Sequence, residues 1–447
     1  MIPTPPAADI HAWQQAVRAG QTSASELLQK AADIAASTAC RHVYMPGSAG
    51  WLGTSGHSND DPGALAQIPV SIKDLFDVAG QTTAAGSTVL AGAPVALVDC
   101  PAVARLRSAG AVLAGRTNMV EFAFSAVGIN PHYGTPVNPA DALVERIPGG
   151  SSSGAAVSVA TGAAMAGLGS DTGGSLRIPA ALCGLVGFKS TAQQVPTSGA
   201  LPLSTSLDTV GALTRSVRDA ILMHEVLSAR PVQLSKKPLS ACRFAVVRTL
   251  LQDNLDPTVA SAFENSLRAI RAAGAQIDDI ALPELGDLAA INATGGLSAA
   301  ESYAWHRRLI AVHQAEYDPR VALRILRGAT MSAADYIDLL TARRHWIGRM
   351  ETRLAGFDAV LSPTVPLLAS PIADLKTDDD AFFRVNGLLL RNTAVVNMLD
   401  GCAISLPCHM PDQLPAGLML WHAAMHDDAV LNLALQVESA LTRELQK

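Results

Sequence analysis

Apolar and polar positions along the chain alternate between short apolar runs and longer amphipathic stretches. Short runs rich in Val, Ile and Leu, bounded by Gly, Pro or polar residues, predict strands. These strands are Ile68–Asp74, Val112–Ala114, Arg243–Val247, Gln276–Ala281, Ala359–Ser362, Ala403–Leu406 and Gly417–Trp421. Stretches with helical spacing and capping residues predict helices. These helices are Ser23–Ala36, Asp99–Gly110, Gly154–Gly169, Pro257–Ala273, Ser298–Ala315, Ser332–Leu354 and Asp428–Leu445.

The order of these elements indicates the fold class. Strands and helices alternate along much of the chain, which predicts an α/β fold around a mixed β-sheet. We find no fixed-period repeat and no long low-complexity tract, so we expect one large domain over residues 1–447. Segments rich in turn-forming or charged residues predict loops at 46–63, 229–240 and 374–381.

Composition narrows the class of protein. Of 447 residues, 49% are hydrophobic and 16% charged, which indicates a large core. The net charge of −6 gives no overall basic field, so contact with nucleic acid is disfavoured. The start of the sequence lacks a signal-peptide pattern, and the apolar stretch Gly154–Gly169 is shorter than the ~20 residues that cross a bilayer. The six cysteines form no C-x-x-C pair, so we expect reduced thiols and a cytoplasmic protein.

Two Gly-Gly-Ser clusters are the clearest chemical signal. They end at Ser151 and Ser175 and are joined by a run of small apolar residues. Glycine pairs let the backbone turn sharply, so a following serine can lie beside backbone N–H groups. An acyl-transfer nucleophile needs such donors for the oxyanion that forms during attack. A serine in a glycine turn is also typical of an ordinary turn, so this pattern alone leaves both interpretations open.

A serine nucleophile needs a base, and the sequence favours lysine over histidine. There is no G-x-S-x-G around either serine and no H-E-x-x-H among the histidines. Of the seven lysines, only Lys73 and Lys189 lie in apolar surroundings. Burial lowers the pKa of a lysine and makes a neutral amine available. Lys73 ends a predicted strand, where it is either this base or an ordinary surface lysine, and Lys189 is compatible with a structural role.

With these residues in place, the sequence resembles the amidase signature family of serine amidohydrolases. The resemblance follows an ordered set of segments, namely residues 68–80, 84–86, 109–125, 133–139, both Gly-Gly-Ser clusters and, more weakly, 414–421. It implies one amidase domain whose central mixed sheet has helices on both faces. It also implies a signature core at about 65–215 and a portion at about 241–447 that forms the substrate pocket and the C-terminal part of the sheet.

The resemblance implies roles for individual residues. Lys73 corresponds to the family's catalytic lysine, Ser151 to the bridging serine after a cis peptide bond, and Ser175 to the acylated nucleophile. The oxyanion site corresponds to the backbone around Ser175 and the residues just before it, Thr172, Gly173 and Gly174. Neutral Lys73 would take a proton from Ser151, which takes one from Ser175. The chemistry requires no metal and no cofactor.

Substrate contacts are less sharply indicated. Arg177 is suited to bind a substrate carboxylate with its two-pronged guanidinium, but an ion pair with Asp171 is the favoured interpretation. Ala123 corresponds to a pocket position in relatives, where a small residue leaves room. Ser153 replaces a glycine of the family pattern GGSSGG, which concerns the local backbone rather than the catalytic set.

We therefore expect an enzyme that cleaves a small carboxamide to a carboxylate and ammonia or an amine. One alternative is the glutaminase-type A subunit of a tRNA-dependent amidotransferase, which needs partner chains. Another is a hydrolase of a small acidic amide of the malonamate or allophanate kind. A phosphate-binding loop is disfavoured, because neither G-x-x-x-x-G-K-[ST] nor G-x-G-x-x-G is present around residues 167–175. The expected partner is a small-molecule amide, with no membrane, and a homodimer is compatible with the sequence.

Overall fold

A mixed β-sheet of ten strands runs through the computed structural model, which describes residues 8–48 and 63–445. Its strands are β1 Pro69–Lys73, β2 Val112–Thr117, β3 Ala166–Asp171, β4 Val186–Lys189, β5 Thr209–Thr214, β6 Arg243–Val247, β7 Gln276–Ile280, β8 Ala359–Pro363, β9 Cys402–Pro407 and β10 Gly417–His422. The order across the sheet is β2-β1-β3-β5-β4-β9-β10-β8-β6-β7. One continuous sheet therefore joins the early and late parts of the chain.

The direction of the strands divides the sheet into three zones. At one end β2, β1 and β3 are parallel, and at the other end β8, β6 and β7 are parallel. Between them, β5, β4, β9 and β10 pair antiparallel with their neighbours. The contact between β4 and β9, where Phe188 pairs with Ile404, joins the two halves. Parallel strands need crossover connections, which the helices supply.

The helices are α1 Ile10–Arg18, α2 Ala24–Ala35, α3 Pro101–Ser108, α4 Ser153–Thr161, α5 Arg177–Cys183, α6 Val217–Ser228, α7 Pro257–Ala272, α8 Asp287–Ile291, α9 Gly296–His313, α10 Pro319–Leu326, α11 Ala333–Leu354, α12 Ile372–Lys376, α13 Asp379–Met398 and α14 Asp427–Leu445. Several have a side chain that caps their first turn. Ser23 and Ser332 form capping boxes before α2 and α11, and Asp256 caps α7. None of the described helices is both long enough and apolar enough to span a membrane.

Successive residues of β6 show how both faces of the sheet are covered. Phe244 and Val246 pack into a core with residues of α7 and α14. Ala245 and Val247 point to the other face and pack into a second core with residues of α11. Alternate residues of a strand point to opposite faces, so a strand buried on both sides lacks a polar face. The predicted single α/β domain, with helices on both faces of a mixed sheet, is confirmed.

Two predicted elements are wrong in part. The stretch Gly154–Gly169 is not one helix, because α4 ends at Thr161, the next residue Gly162 lies in the left-handed region (φ 95°), and the chain then enters β3. The predicted loop at 374–381 instead holds the end of α12 and the start of α13, where the Asp378 side chain accepts a hydrogen bond from the Ala381 N–H. Its aspartates cap a helix rather than filling a loop.

The other predicted loops have different outcomes. Most of the loop predicted at 46–63 lies outside the described residues. The loop predicted at 229–240 is irregular up to a short 3₁₀ turn that begins at Leu239.

Candidate active site

The site forms where two parallel strands end side by side. β1 ends at Lys73, and its neighbour β3 ends with Ser170 and Asp171. The carboxyl ends of parallel neighbours lie at one edge of a sheet, which brings these side chains together. Ser151 lies two residues before α4, and α4 leads directly into β3. The topology thus places Ser151 at the same edge.

Lys73 contacts two serine hydroxyls in a fully buried position. Its Nζ donates to Ser151 Oγ at 2.7 Å and to Ser170 Oγ at 2.8 Å, and none of the residue is exposed. Burial lowers the pKa of Lys73 to about 7, although Asp208 and Asp171 act in the opposite direction. A substantial fraction of this amine is therefore neutral near pH 7. The interpretation of Lys73 as a surface lysine is wrong.

The backbone around Ser151 is shaped by close contacts. The Gly150–Ser151 peptide bond is cis, as the resemblance implied, and Gly149 has a φ of 77°. The Gly150 N–H donates to the Ala126 carbonyl at 2.7 Å, and the Val120 N–H donates to the Ser151 carbonyl at 3.1 Å. A side chain at Gly150 would lie 2.9–3.0 Å from neighbouring atoms. The segment from Val120 to Ala126 therefore packs directly against the first Gly-Gly-Ser cluster.

The buried carboxylate of Asp171 binds backbone N–H groups at the second Gly-Gly-Ser turn. Its carboxylate accepts from the Gly174 N–H at 2.8 Å and the Leu176 N–H at 3.2 Å. Burial alone would raise the pKa of Asp171, but the Arg177 guanidinium and the Asn397 amide help to lower it to about 2. A permanent anion therefore fixes the path of the backbone through the turn. The N–H of Gly174 is used in this way and is not free for an oxyanion.

Other backbone groups of the turn keep their hydrogen-bonding capacity. Within the part of the chain that the structure describes, the N–H groups of Gly173 and Ser175 have no protein acceptor. The Gly173 carbonyl accepts from Thr393 Oγ1 of α13 at 2.6 Å, and Thr172 Oγ1 donates to Asp208 at 2.5 Å. Hydrogen bonds with Thr393 and Asp208 thus hold the turn in place. The N–H groups of Gly173 and Ser175 remain suited to bind an oxyanion.

Ser175 lies on this turn with 6% of its surface exposed. Its hydroxyl makes no hydrogen bond to any residue in the described ranges, so a direct contact with Ser151 is not formed here. The structure brings Lys73 and Ser151 together and leaves Ser175 Oγ without a partner. Active-site hydrogen bonds are often long in the absence of substrate, so this geometry is compatible with the relay.

Arg177 does not have a free guanidinium. It is fully buried, and it donates to both carboxylate oxygens of Asp171 at 2.9 and 3.0 Å. Its remaining N–H groups bind the Thr393 carbonyl, Asn397 and Met419 Sδ. The ion pair with Asp171 is therefore present as favoured. The assignment of Arg177 to a substrate carboxylate is corrected, because no donor is left for it.

The last two sequence-derived positions lie close to the first cluster. Ala123 is buried in the Val120–Ala126 segment, with a φ of 61°. Ser153 is the first residue of α4 and does not have a positive φ, so the backbone accepts a side chain where the family has glycine. Its buried hydroxyl has no partner among the described residues.

Sequence reasoning missed several residues of the site. Ser170 Oγ accepts a hydrogen bond from Lys73 Nζ, as Ser151 Oγ does. Its position five residues before Ser175 was a signal that the sequence offered. The Asp208 carboxyl accepts a hydrogen bond from Thr172 Oγ1, and burial raises the pKa of this carboxyl to about 6. Thr393 and Asn397 come from α13, more than 200 residues away in sequence, and only the fold connects them with the turn. In the described ranges, no group of three His, Cys, Asp or Glu side chains is arranged to hold a metal.

Comparisons with known proteins show the family of this chain and agree with its fold. The family model described as Amidase matches residues 23–431. The chain is similar to 2-amino-5-chloromuconic acid deaminase of Comamonas testosteroni, with 34% identity over 85% of this chain and 83% of that protein. It is also similar to the glutamyl-tRNA(Gln) amidotransferase A subunit of Symbiobacterium thermophilum, with 31% identity over 83% and 82% of the two chains. A crystal structure of an amidase covers 97% of this chain and 99% of its own, with a TM-score of 0.83 and 30% identity.

Proposed function

Because this chain belongs to the amidase family, we propose that it cleaves the C–N bond of a small carboxamide through an acyl-enzyme on Ser175. Membership makes it an amide-cleaving hydrolase. The observation that carries the proposed mechanism is the contact of 2.7 Å between Lys73 Nζ and Ser151 Oγ, with the pKa of the buried lysine near 7. A general base works best when its pKa lies near the working pH.

In the first half-reaction, Ser175 Oγ attacks the amide carbonyl carbon. Its proton passes to Ser151, whose own proton passes to the neutral amine of Lys73. The carbonyl oxygen becomes an oxyanion, and the N–H groups of Gly173 and Ser175 are the supported donors for it, since Asp171 already binds that of Gly174. The relay then runs backwards and protonates the leaving nitrogen. The C–N bond breaks, and ammonia or an amine departs.

In the second half-reaction, water attacks the ester on Ser175. The same relay takes one proton from this water and returns one to Ser175 Oγ. The product is a carboxylic acid, which passes its remaining proton to water or to the released ammonia and leaves as a carboxylate, with Ser175 restored. The side chains of Lys73, Ser151 and Ser175 carry every proton transfer of the relay, so the proposal requires no metal and no cofactor.

Two narrower functions are supported by specific relatives. The similarity to a glutamyl-tRNA(Gln) amidotransferase chain favours a glutaminase-type subunit that works with partner chains. The similarity to a deaminase named for a muconic acid, which is a dicarboxylic acid, favours a substrate that carries a carboxylate. We place the amidohydrolase of a small molecule first. We also propose a cytoplasmic location, which is supported by six buried cysteines that form no disulfide.

The nucleophile is tested by replacing Ser175 with alanine. We expect Ser175→Ala to abolish turnover and covalent labelling by a serine-directed fluorophosphonate, because the attacking oxygen is gone. Ser153→Ala is the matched control, since it removes another buried hydroxyl of the site that has no partner. Intact-protein mass spectrometry would show the phosphonate adduct on the wild type and on the control. An adduct on the Ser175 variant would contradict the assignment.

The stand-alone amidohydrolase and the amidotransferase subunit are separated by measuring ammonia release. The purified chain alone should hydrolyse members of a panel of simple amides. Activity that appears only with partner chains and charged tRNA would favour the amidotransferase instead.

A further inference from the structure

Asn386 of α13 has a buried side chain whose amide nitrogen the protein does not use. The residue is 4% exposed, and its Oδ1 accepts from the Ala126 N–H at 2.9 Å and from Ser125 Oγ at 3.2 Å. These donors fix the orientation of the amide, because a nitrogen at this end could not accept them. Nδ2 has no acceptor among the described residues and is not fully enclosed, so it is open to a ligand.

The other two buried asparagines of α13 use their amide nitrogens within the protein. Asn392 Nδ2 donates to the Leu251 carbonyl at 2.8 Å. Asn397 Nδ2 donates to the Asp171 carboxylate at 3.0 Å. Amide N–H groups that leave water are normally hydrogen-bonded. Asn386 is therefore the exception on this helix, and a bound acceptor would complete its hydrogen bonds.

Asn386 lies one helical turn from the proposed oxyanion site. Leu390, four residues further on, is half-buried, and its Cδ2 would lie 3.1 Å from a Cβ on Gly173. Thr393, on the same side of α13, donates to the Gly173 carbonyl at 2.6 Å. Residues four apart on a helix share a face, with Cβ atoms about 6 Å apart. Away from Gly173, α13 therefore offers first an apolar side chain and then a free amide donor.

Asn386 is also connected with the first Gly-Gly-Ser cluster. The Ala126 N–H donates to Asn386, and the Ala126 carbonyl accepts from the Gly150 N–H at 2.7 Å. Gly150 forms the peptide bond that precedes Ser151. The same helix thus contacts both parts of the chain that carry the proposed catalytic serines, and Nδ2 of Asn386 is the donor left over.

We infer that Asn386 donates a hydrogen bond from Nδ2 to an oxygen in the acyl chain of the substrate, while Leu390 packs against the carbon atoms between this oxygen and the scissile carbonyl. The inference rests on the proposed amidohydrolase function and names its substrate class. These substrates are amides with an apolar chain that carries an oxygen acceptor about one helical turn, ~5.4 Å, from the carbonyl. A chain of methylenes alone leaves the Asn386 amide without a partner, which is the basis of the discrimination.

The test measures kcat/KM for ether amides and for alkanamides of the same length. The ethers ω-methoxypropanamide, ω-methoxybutanamide and ω-methoxypentanamide are paired with pentanamide, hexanamide and heptanamide, so that one oxygen replaces one methylene in each pair. We expect the wild type to favour the ether by about tenfold or more at one chain length and by less at the others, because the oxygen must reach Nδ2. A wild type that favours the ether at none of the three lengths overturns the inference.

Asn386→Asp removes the donor and keeps both the shape and the oxygen that binds Ala126. A second oxygen takes the place of Nδ2, so the preference for the ether should fall by about tenfold or more. Amides that end in an ammonium group are ω-aminopropanamide, ω-aminobutanamide and ω-aminopentanamide. They should gain about tenfold or more in kcat/KM relative to the alkanamides, because a carboxylate attracts the cation. A purely structural role of Asn386 does not produce this exchange of preference.

Gly387→Asp is the matched control, because it adds the same charge at the next residue of α13. Gly387 is exposed, and a Cβ there would have no neighbouring atom within 4 Å. This variant should change both preferences by less than about threefold. An effect equal to that of Asn386→Asp overturns the inference, since it indicates only a general field. So does an Asn386→Asp variant that lowers kcat/KM for ether and alkanamide equally without a gain for the ammonium amides, since that indicates a structural role.

Leu390→Ala tests the apolar part of the inference. It removes contact with the carbon atoms that both members of a pair share. We therefore expect kcat/KM to fall by about fivefold or more for the ether and the alkanamide alike. A fall confined to the ether would contradict this division of roles between Leu390 and Asn386.

Binding to the Ser175→Ala variant keeps the two proposals distinguishable. Dissociation constants are obtained from the dependence of its melting temperature on amide concentration. Equal affinity for the ether and the alkanamide in every pair counts against the Asn386 site even where the wild type hydrolyses amides. Tighter binding of an ether that is lost when Asn386→Asp is added, with no amide hydrolysis by the wild type, counts against the proposed function alone.

Discussion

Lys73 shows how one buried residue acquires chemistry that its exposed counterparts lack. Apolar surroundings disfavour the ammonium, while Asp208 and Asp171 favour it from a distance. The balance leaves the pKa of Lys73 at about 7 rather than at the usual 10.5. Ser151 and Ser170 satisfy its polar nitrogen without adding a charge. A carboxylate in contact with Nζ would have kept the lysine protonated, and the site would have lost its base.

The pH dependence of the reaction follows from this balance. In the proposed relay the neutral amine is the active form, so kcat/KM should rise with pH through about 7 and level off above it. Asp208→Asn removes a carboxylate that raises the pKa of Lys73, so the rising limb should move to lower pH by up to about one unit. The profile is measured with a neutral amide, so that the substrate does not titrate.

Asp400→Asn is the control for that experiment. Asp400 raises the pKa of Lys189, not that of Lys73, and asparagine accepts its φ of 55°. The rising limb of kcat/KM should stay at the same pH in this variant. A limb that stays unchanged in Asp208→Asn, or that moves to higher pH, would contradict the assignment of Lys73 as the titrating base.

At the scale of the element, the turn between β3 and α5 depends on one glycine more than on its neighbour. Gly174 has a φ of 134°, and a Cβ there would lie 2.2 Å from Thr393 Oγ1 and 2.6 Å from Ile178 Cδ1. Gly173 lacks a positive φ, and the nearest atom to its Cβ would be Leu390 Cδ2 at 3.1 Å, the end of a flexible side chain. The two adjacent glycines therefore differ in what they tolerate.

This difference gives a paired prediction. Gly174→Ala should lower kcat by at least about 100-fold, because the turn that carries Ser175 must shift and one displaced oxyanion donor alone is worth ~10²–10³. Gly173→Ala should lower kcat by about tenfold or less, because the side chain of Leu390 can move. Steady-state kinetics on one neutral amide, with circular dichroism as a check of folding, measures both. Equal losses in the two variants would contradict the role of the Gly174 backbone.

The strands and helices also show which parts of the fold can be predicted from the sequence pattern and which cannot. The strands from β6 to β10 lie close to their predicted positions, and all of them except β7, which is QIDDI, are largely apolar runs. β3 and β5 were missed, since glycines dilute their apolar character. Helix α13 was missed because its apolar positions are mixed with buried asparagines. Those asparagines bind the turn and neighbouring backbone, so the residues that weaken the helical pattern are the ones the site requires.

The residues of the site likewise differ in whether the sequence reveals them. Lys73, Ser151 and Ser175 lie in local motifs whose chemistry and family resemblance can be read along the chain. Their supporting groups come from distant elements, such as Asn397 on Asp171. Such contacts depend on tertiary packing, which a single sequence does not display.

At the scale of the whole molecule, the three proposed catalytic residues lie in one half of the sheet, and α13, which supports the second Gly-Gly-Ser turn, follows in the other half of the chain. Lys73, Ser151 and Ser175 all precede the irregular segment at 229–238, whereas α13 and β9 follow it. β9 pairs with β4, and the Arg177 guanidinium donates to the Thr393 carbonyl of α13 at 3.0 Å. Without the second half, Asp171 and Arg177 would lose buried partners, and β4 would become an open edge. Lys73, Ser151 and Ser175 are therefore not expected to form a working site without the second half of the chain.

A cut within the irregular segment tests this dependence. A protease site inserted between Ser235 and Lys236, which are both exposed, can be cleaved after the protein has folded. We expect the cleaved protein to keep most of its phosphonate labelling and amide hydrolysis, because the paired strands hold the halves together. Residues 1–235 expressed alone should show neither, and co-expression with 236–447 should restore both. Labelling and turnover by the isolated first fragment would show that the turn carrying Ser175 keeps its geometry without α13 and β9, against the single-domain interpretation.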